Sequence, residues 1–189
     1  MKTSILYFFS AAILASIVLS CADVQKPEQL AKIDQLVATI DSIELVVQAN
    51  NLDSGIHYHN NSEAVERRIK QNYFTDTVDL NIARKMDRFK VMRRKIKPLT
   101  YDYNNLVKGC KEAKEKLALL KEDIENGHNE RDRYDEFIKF EANKVYQLQV
   151  LCDGYHQDHT EMTNTYKELF GFLNKFSLDL AEKAKDNQQ

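Results

Sequence analysis

The chain has 189 residues, of which five are glycine and two are proline, and 30% of its residues are charged. So few turn-forming residues exclude a protein rich in loops, whereas a chain of this length can bury the core of one domain. Its formal net charge of −2 gives no general attraction to nucleic acid, so we expect no nucleic-acid partner.

The first residues carry the pattern of an export signal. Lys2 precedes an apolar run over residues 5–19, which is too short to cross a bilayer with ease, and Ser20 and Cys21 follow. A small residue directly before a cysteine resembles the lipobox of bacterial lipoproteins. The resemblance implies that a signal peptide, residues 1–20, is removed and that Cys21 is diacylated on its sulfur. An ordinary signal peptide that ends near a cysteine is the alternative.

The resemblance also implies a location in the cell. The lipid would anchor the chain in the cell envelope, and Ala22 after the cysteine, by the sorting rule of enteric bacteria, implies the outer membrane, facing the periplasm or the cell surface. Residues 21–26 would form a lipidated linker, residues 27–186 a single helical domain and residues 187–189 a disordered tail. The general pattern is similar to that of the small all-helical lipoproteins of Gram-negative bacteria.

Amphipathic spacing begins at Pro27, which suits the first position of a helix because its missing N–H is not needed there. Apolar residues then recur every three or four positions, as one face of a helix requires: Leu30, Ile33, Val37, Ile40 and Val47. A cluster of turn residues over 50–55 predicts the end of this helix. A polar segment, 56–61, and a short helix capped by Ser62 and running toward Tyr73 are expected next.

The strongest pattern is a pair of apolar seams with heptad spacing, one over residues 78–124 and one over residues 138–180. Between them Gly127 predicts a helix C-cap and Asn129 predicts the next N-cap. If the chain reverses direction there, facing residues have numbers that add to about 255, and both seams then fall into register.

The sequence therefore predicts an all-α fold, a long antiparallel helical hairpin of about 74–126 with 129–185. A shorter N-terminal helix packs on the hairpin, and together they form a three-helix, coiled-coil-like bundle. Pro98 lies within the first seam, where a proline costs about 3 kcal/mol and kinks a helix. We expect a bend near residues 94–98, with two separate helices as the alternative.

Cys110 and Cys152 remain once Cys21 is assigned to the lipid. Both lie on the seams, but they are about seven residues out of register, or about 10 Å along the helix axis. Because the Cα atoms of a disulfide usually lie within about 7 Å, we expect two buried free thiols. A disulfide formed in a shifted register and a disulfide between two chains are the alternatives.

Four of the five histidines form two close pairs, His57 with His59 and His156 with His159. Imidazoles at such short spacing, with carboxylates nearby, are candidate zinc ligands. The first pair lies in the predicted connection after the first helix, and the second lies in the middle of the hairpin. We therefore expect no joint metal site and no other cofactor, and we expect His159 in the core beside Ile96.

The segment 84–97 is strongly basic. In the envelope its cations could bind phosphate-bearing headgroups or an acidic polymer, and the candidates are Arg84, Arg88, Arg93, Arg94, Lys95 and Lys97. The alternative, which we favour, is a solvated helix face. Asp158 and Glu161 on the facing helix, and four acidic residues between positions 28 and 44 of the first helix, would then balance its charge.

The chain contains no phosphate-binding glycine loop, no G-x-S-x-G elbow, no H-E-x-x-H and no C-x-x-C, so we expect no catalytic activity. The expected role is structural or protein-interaction, for a lipid-anchored envelope protein. Its expected partners are the membrane, through the N-terminal lipid, and another envelope protein or polymer. The alternative is a binding module that takes an anionic ligand or a metal through the basic segment or the histidines.

Overall fold

The computed structural model describes residues 25–77 and 79–186, which form five α-helices: α1 (Lys26–Ala49), α2 (Leu52–Asn72), α3 (Leu80–Arg94), α4 (Ile96–Asn126) and α5 (Tyr134–Asp186). A short 3₁₀ turn (Arg131–Arg133) precedes α5. No strand occurs in these two ranges, and the predicted all-α fold is confirmed. The predicted signal peptide, Cys21 and the predicted tail lie outside the described residues, as does Val78.

Three rods make up the bundle. Two are interrupted, α1 with α2 and α3 with α4, and both pack along the continuous third rod, α5. The predicted three-helix bundle is therefore confirmed. Buried apolar residues from every helix join into one core along the whole length, including Ile33, Ile40, Val65, Ile69, Phe89, Leu106, Leu117, Tyr155 and Leu173.

The predicted hairpin register is also confirmed. Lys95 Nζ lies 2.7 Å from Asp158 Oδ1, and Arg88 Nη1 lies 2.7 Å from Glu168 Oε1. The residue numbers in both pairs add to about 255, as the two seams require. At about 1.5 Å per residue, the 53 residues of α5 span about 80 Å.

Gly127 ends α4, as predicted, with a left-handed backbone (φ 66°). This left-handed conformation is one that side-chain-bearing residues rarely adopt, so the backbone favours glycine there. The prediction for Asn129 is wrong, because it has a positive φ of 62° and Glu130 occupies the N-cap of the 3₁₀ turn. The structural reason is Tyr134, a core residue whose hydroxyl reaches the carbonyl of Asp123 at 2.9 Å and so sets where α5 begins.

The N-terminal rod is more helical than predicted. Only residues 50 and 51 separate α1 from α2, so the expected turn cluster and polar segment are mostly helix, and Ser62 is buried inside α2 instead of capping it. Gly55 explains part of this, because its missing side chain lets α2 pack with Ile96 Cδ1 only 3.2 Å from the Cβ position. Tertiary packing thus overrides the local turn signal.

This rod runs parallel to α5 over nearly the whole bundle. Lys26 Nζ donates to the carbonyl of Glu125 at 2.7 Å beside the hairpin turn. Near the other end of the rod, Arg68 Nη2 donates to Asn174 Oδ1 at 2.6 Å. We call the end with the hairpin turn the proximal end, and the end with the connection 73–79 the distal end.

The first hairpin arm begins at Leu80 instead of near residue 74. The Asp79 carboxylate caps it by accepting from the backbone N–H groups of Asn81 (2.8 Å) and Ile82 (3.2 Å). The bend expected near residues 94–98 is a one-residue interruption at Lys95, which separates α3 from α4. Its N–H bonds the carbonyl three residues back, at 3.1 Å, and its backbone stays right-handed, so the seam keeps its phase.

We predict that the hairpin seam dominates the stability of the fold. Phe89 is 1% exposed, whereas Tyr146 is 67% exposed. Phe89→Ala should lower the free energy of unfolding by about 3–5 kcal/mol because it leaves a core cavity. Tyr146→Ala, the matched control, should change it by less than about 0.5 kcal/mol. Urea unfolding followed by circular dichroism measures both, and equal losses would contradict the register described above.

Candidate functional site

The interruptions of the two broken rods lie at one level of α5. Asn50 ends α1 and Lys95 separates α3 from α4, and both contact the segment 155–161 of α5. Polar side chains gather there, some in the interior of the bundle and some at its surface. We call this level the waist, and it comprises Asn50, Ser54, Lys95, Tyr155, Asp158, His159 and Glu161.

Tyr155 and His159 fill the inner side of the waist. Tyr155 is fully buried, and its hydroxyl donates to the carbonyl of Asn50, which the end of α1 leaves without a helical partner. His159 is 8% exposed, as expected of a core histidine, and its Nε2 lies 3.0 Å from Ser54 Oγ. Burial lowers the pKa of His159, so the neutral imidazole is favoured there.

Lys95 closes the outer side of the waist. Its Nζ lies 2.7 Å from Asp158 Oδ1 and 2.6 Å from Glu161 Oε2. Partial burial acts to lower the pKa of Lys95, but the hydrogen bonds to the two carboxylates outweigh it and raise that pKa. The expectation that Asp158 and Glu161 balance the basic segment is confirmed for this lysine.

Two more of the candidate cations also pair with acids on other helices. Arg88 forms a two-point pair with Glu168, and Arg93 Nη2 lies 2.9 Å from Glu66 Oε2. Glu66 is 5% exposed, and although burial opposes ionisation, Lys70 and Arg93 lower the pKa of its carboxyl. The charge of Arg93 is therefore balanced by an acid on α2, whereas the sequence predicted an acid on the first helix.

The acidic residues of α1 lie beside the proximal half of the hairpin. Asp41 and Glu44 both contact Lys114 at 2.6 Å, and Asp34 contacts Lys121 at 2.6 Å. The expectation that they balance the segment 84–97 is therefore wrong, because α1 packs against α4, whereas most of that segment lies on α3.

The remaining candidates, Arg84, Arg94 and Lys97, are exposed. Within the ranges 25–77 and 79–186, no carboxylate lies within 4.0 Å of any of them. The six candidate cations thus divide into three that pair with acids on other helices and three that are exposed and unpaired among the described residues.

The histidines do not converge. His57 Nε2 lies 2.9 Å from Asn61 Nδ2, His59 Nδ1 lies 3.2 Å from the carbonyl of Arg93, and His156 is exposed. Both members of the first pair lie on α2, not in a connection. Among the described residues, no group of three or more His, Cys, Asp or Glu side chains is arranged to hold a metal ion.

Cys110 and Cys152 are each 1% exposed and carry free thiols, as predicted. Burial raises the pKa of Cys110 to about 11 and also raises the pKa of Cys152. Since the thiolate is the reactive form, both cysteines behave as small core residues.

A polar face on α2 was missed from the sequence. Ser54, Asn61 and Arg68 lie at helical spacing and contact His159, Tyr166 and Asn174 of α5. The spacing of seven residues was visible in the sequence, but polar residues at that spacing usually mark a solvated face. Only the polar partners on α5 make it an inner face.

Two further findings bear on function. In the part of the chain that the structure describes, no helix is long and apolar enough to span a bilayer. Comparisons with protein-family models, with curated proteins and with solved structures found no match.

We predict that the waist makes stability depend on pH. Because the pKa of His159 is lower in the folded chain than in the unfolded chain, the unfolded state binds more protons as pH falls below about 6.5, and stability falls with it. This one group adds a slope of at most about 1.4 kcal/mol per pH unit.

His159→Gln should remove that part of the slope between pH 7 and pH 5, whereas His156→Gln, at an exposed position one turn away, should retain it. Urea unfolding at several pH values measures the slope. A slope unchanged in His159→Gln would show that the buried imidazole does not titrate in this way.

Proposed function

We propose that this protein is a lipid-anchored rod of the cell envelope with a structural or protein-interaction role and no catalytic activity. We propose the lipid because of the export pattern and Cys21. We propose delivery to the outer membrane because Ala22 follows that cysteine. The role is proposed from the shape of the bundle, which is long, thin and packed throughout its length.

The position of α1 carries the proposal. Its first turn contacts the hairpin turn, where Lys26 bonds the carbonyl of Glu125 and Gln29 Nε2 lies 3.4 Å from Asp135 Oδ1. Cys21 precedes Lys26 by five residues, which reach at most about 18 Å when fully extended. A lipid on Cys21 would therefore hold the proximal end at the membrane.

The distal end would then extend about 80 Å from the anchored end. Ion pairs between rods, such as Lys114 with Glu44 and Arg88 with Glu168, join the rods on both sides of the waist. The proposed partner is another envelope protein or polymer, met along the rod or at its distal end.

We predict that fatty-acid labelling depends on Cys21. In a Gram-negative host given an alkyne analogue of palmitate, the wild-type chain should be labelled. Cys21→Ser should lose the label completely because its hydroxyl cannot accept the thioether lipid. Cys110→Ser, the matched control at a buried thiol, should retain the label. Labelling that persists in Cys21→Ser would refute the anchor.

A second candidate function is the binding of an anionic polymer, and the unpaired Arg84, Arg94 and Lys97 favour it. Inorganic polyphosphate at low salt should then raise the melting temperature, and the rise should disappear at high salt. The triple variant Arg84→Gln, Arg94→Gln, Lys97→Gln should lose the rise, whereas Lys139→Gln on the proximal half of α5 should keep it. No rise in the wild-type chain would exclude this candidate.

A further inference from the structure

We propose that two copies of this chain pair side by side and antiparallel, with the basic distal half of each copy against the acidic proximal half of the other. The pairing goes beyond the proposed function and does not depend on the lipid. Three features support it: the distribution of charge, a groove with a half-satisfied buried acid, and an exposed basic stripe.

Charge is separated along the rod. The proximal half, residues 26–50 and 96–159, carries 12 basic and 17 acidic side chains, a net charge of −5. The distal half, residues 51–95 and 160–186, carries 14 basic and 11 acidic side chains, a net charge of +3. Parallel copies in register would place like charges together, whereas antiparallel copies place opposite charges together.

The acidic half contains an open groove of about 510 Å³ between α4 and α5. Glu141 lines it and is 8% exposed. Its Oε1 lies 3.1 Å from Lys144 Nζ, but its Oε2 is buried and accepts no hydrogen bond from the described residues. Because an unmet buried acceptor is costly, the groove is suited to a donor from outside the chain.

Charge in the rest of the groove agrees with a basic occupant. Glu112 and Glu115 line it as well, against Lys116 and the Lys144 already bonded to Glu141. The groove thus holds three acidic and two basic side chains. Leu148 and Leu151 supply apolar surface between them.

The complementary stripe lies on the outer face of the distal half. Arg84 and Arg94 are exposed and unpaired within the described residues, and between them Val91 is 50% exposed. Their spacing of seven and three residues places them on one side of the helix. Asp87, three residues after Arg84 and four before Val91, lies on the same side, so the stripe holds two cations and one acid beside its apolar surface, a net charge of +1. The groove holds acids in excess over cations beside its own apolar surface.

The axial positions fit a two-fold pair. The stripe on α3 is centred near residue 89 and the groove near residue 111 of α4, so the midpoint lies near residue 100, next to Tyr101. This is also about the middle of the rod formed by α3 and α4, which lets two antiparallel copies overlap over nearly their full length. Tyr101 is 69% exposed and would meet its own counterpart across the two-fold axis.

If both proposals hold, the two lipid anchors of a pair lie at opposite ends of the rods. Such a pair would join two facing membrane surfaces about 80 Å apart. The labelling experiment tests the anchor and the experiment below tests the pairing, so each can fail without the other.

The test is sedimentation equilibrium of the full chain in a neutral detergent of matched density. The wild-type chain should reach twice its 22.0 kDa mass at low salt and return to the monomer mass at high salt. Arg84→Glu with Arg94→Glu should weaken the pairing at least about tenfold, as should Glu112→Lys with Glu115→Lys.

A one-to-one mixture of these two double variants is the decisive sample. In an antiparallel pair both contacts become complementary again, so the mixture should pair although neither variant pairs alone. Circular dichroism and the melting temperature establish that each variant is folded. A wild-type chain that stays monomeric at low salt, a variant that still pairs alone, or a mixture that stays monomeric would each overturn the proposal.

Discussion

The structure depends on the continuous packing of α5 against both interrupted rods. An isolated helix gains little stability from its intrinsic propensity, so most of the stability of a long helix comes from its tertiary contacts. Buried residues, together with the half-buried Leu148, follow one another at steps of three and four along α5, from Tyr134 to Leu173. Each of the other rods buries its own seam against this one surface. A slip of one turn would separate cross-rod pairs such as Lys95 with Asp158 and Arg88 with Glu168, so these pairs help to fix the register of the contacts with α5.

The waist follows from the same constraint. A helix that stops inside a bundle leaves carbonyl and N–H groups without helical partners, and each such buried group costs about 1–3 kcal/mol if nothing replaces the partner. At the end of α1 the replacement is the Tyr155 hydroxyl of α5. At Lys95 a hydrogen bond three residues back bridges the gap, and Asp158 and Glu161 hold the side chain. The continuous rod thus carries the polar groups that allow the other two rods to be interrupted at its middle.

Charge along the rod is related to how the helices pair. Near the proximal end, α1 brings acids to the lysines of α4, and in the distal half α2 and α5 pair with three of the eight cations of the segment 84–97. What remains on the surface is a net negative half and a net positive half. A rod held by its acidic end presents its basic half away from the anchor, where it is free to meet an acidic surface. Charge separation and the proposed anchoring therefore give the molecule a direction.

The sequence by itself determined the helical class, the two hairpin seams, their register and the turn at Gly127, because heptad spacing and a left-handed glycine are local signals with a definite geometric meaning. It also determined that Cys110 and Cys152 are buried and unbridged, because that follows from register. Only the tertiary structure decided that residues 52–61 are helical, that α1 starts at the hairpin turn, and which cations of the segment 84–97 remain unpaired. Each of these depends on partners distant in sequence: Gly55 fits against Ile96, and Arg93 pairs with a glutamate on α2. Local helix propensity cannot predict these contacts, because the residues that stabilise them lie on another rod.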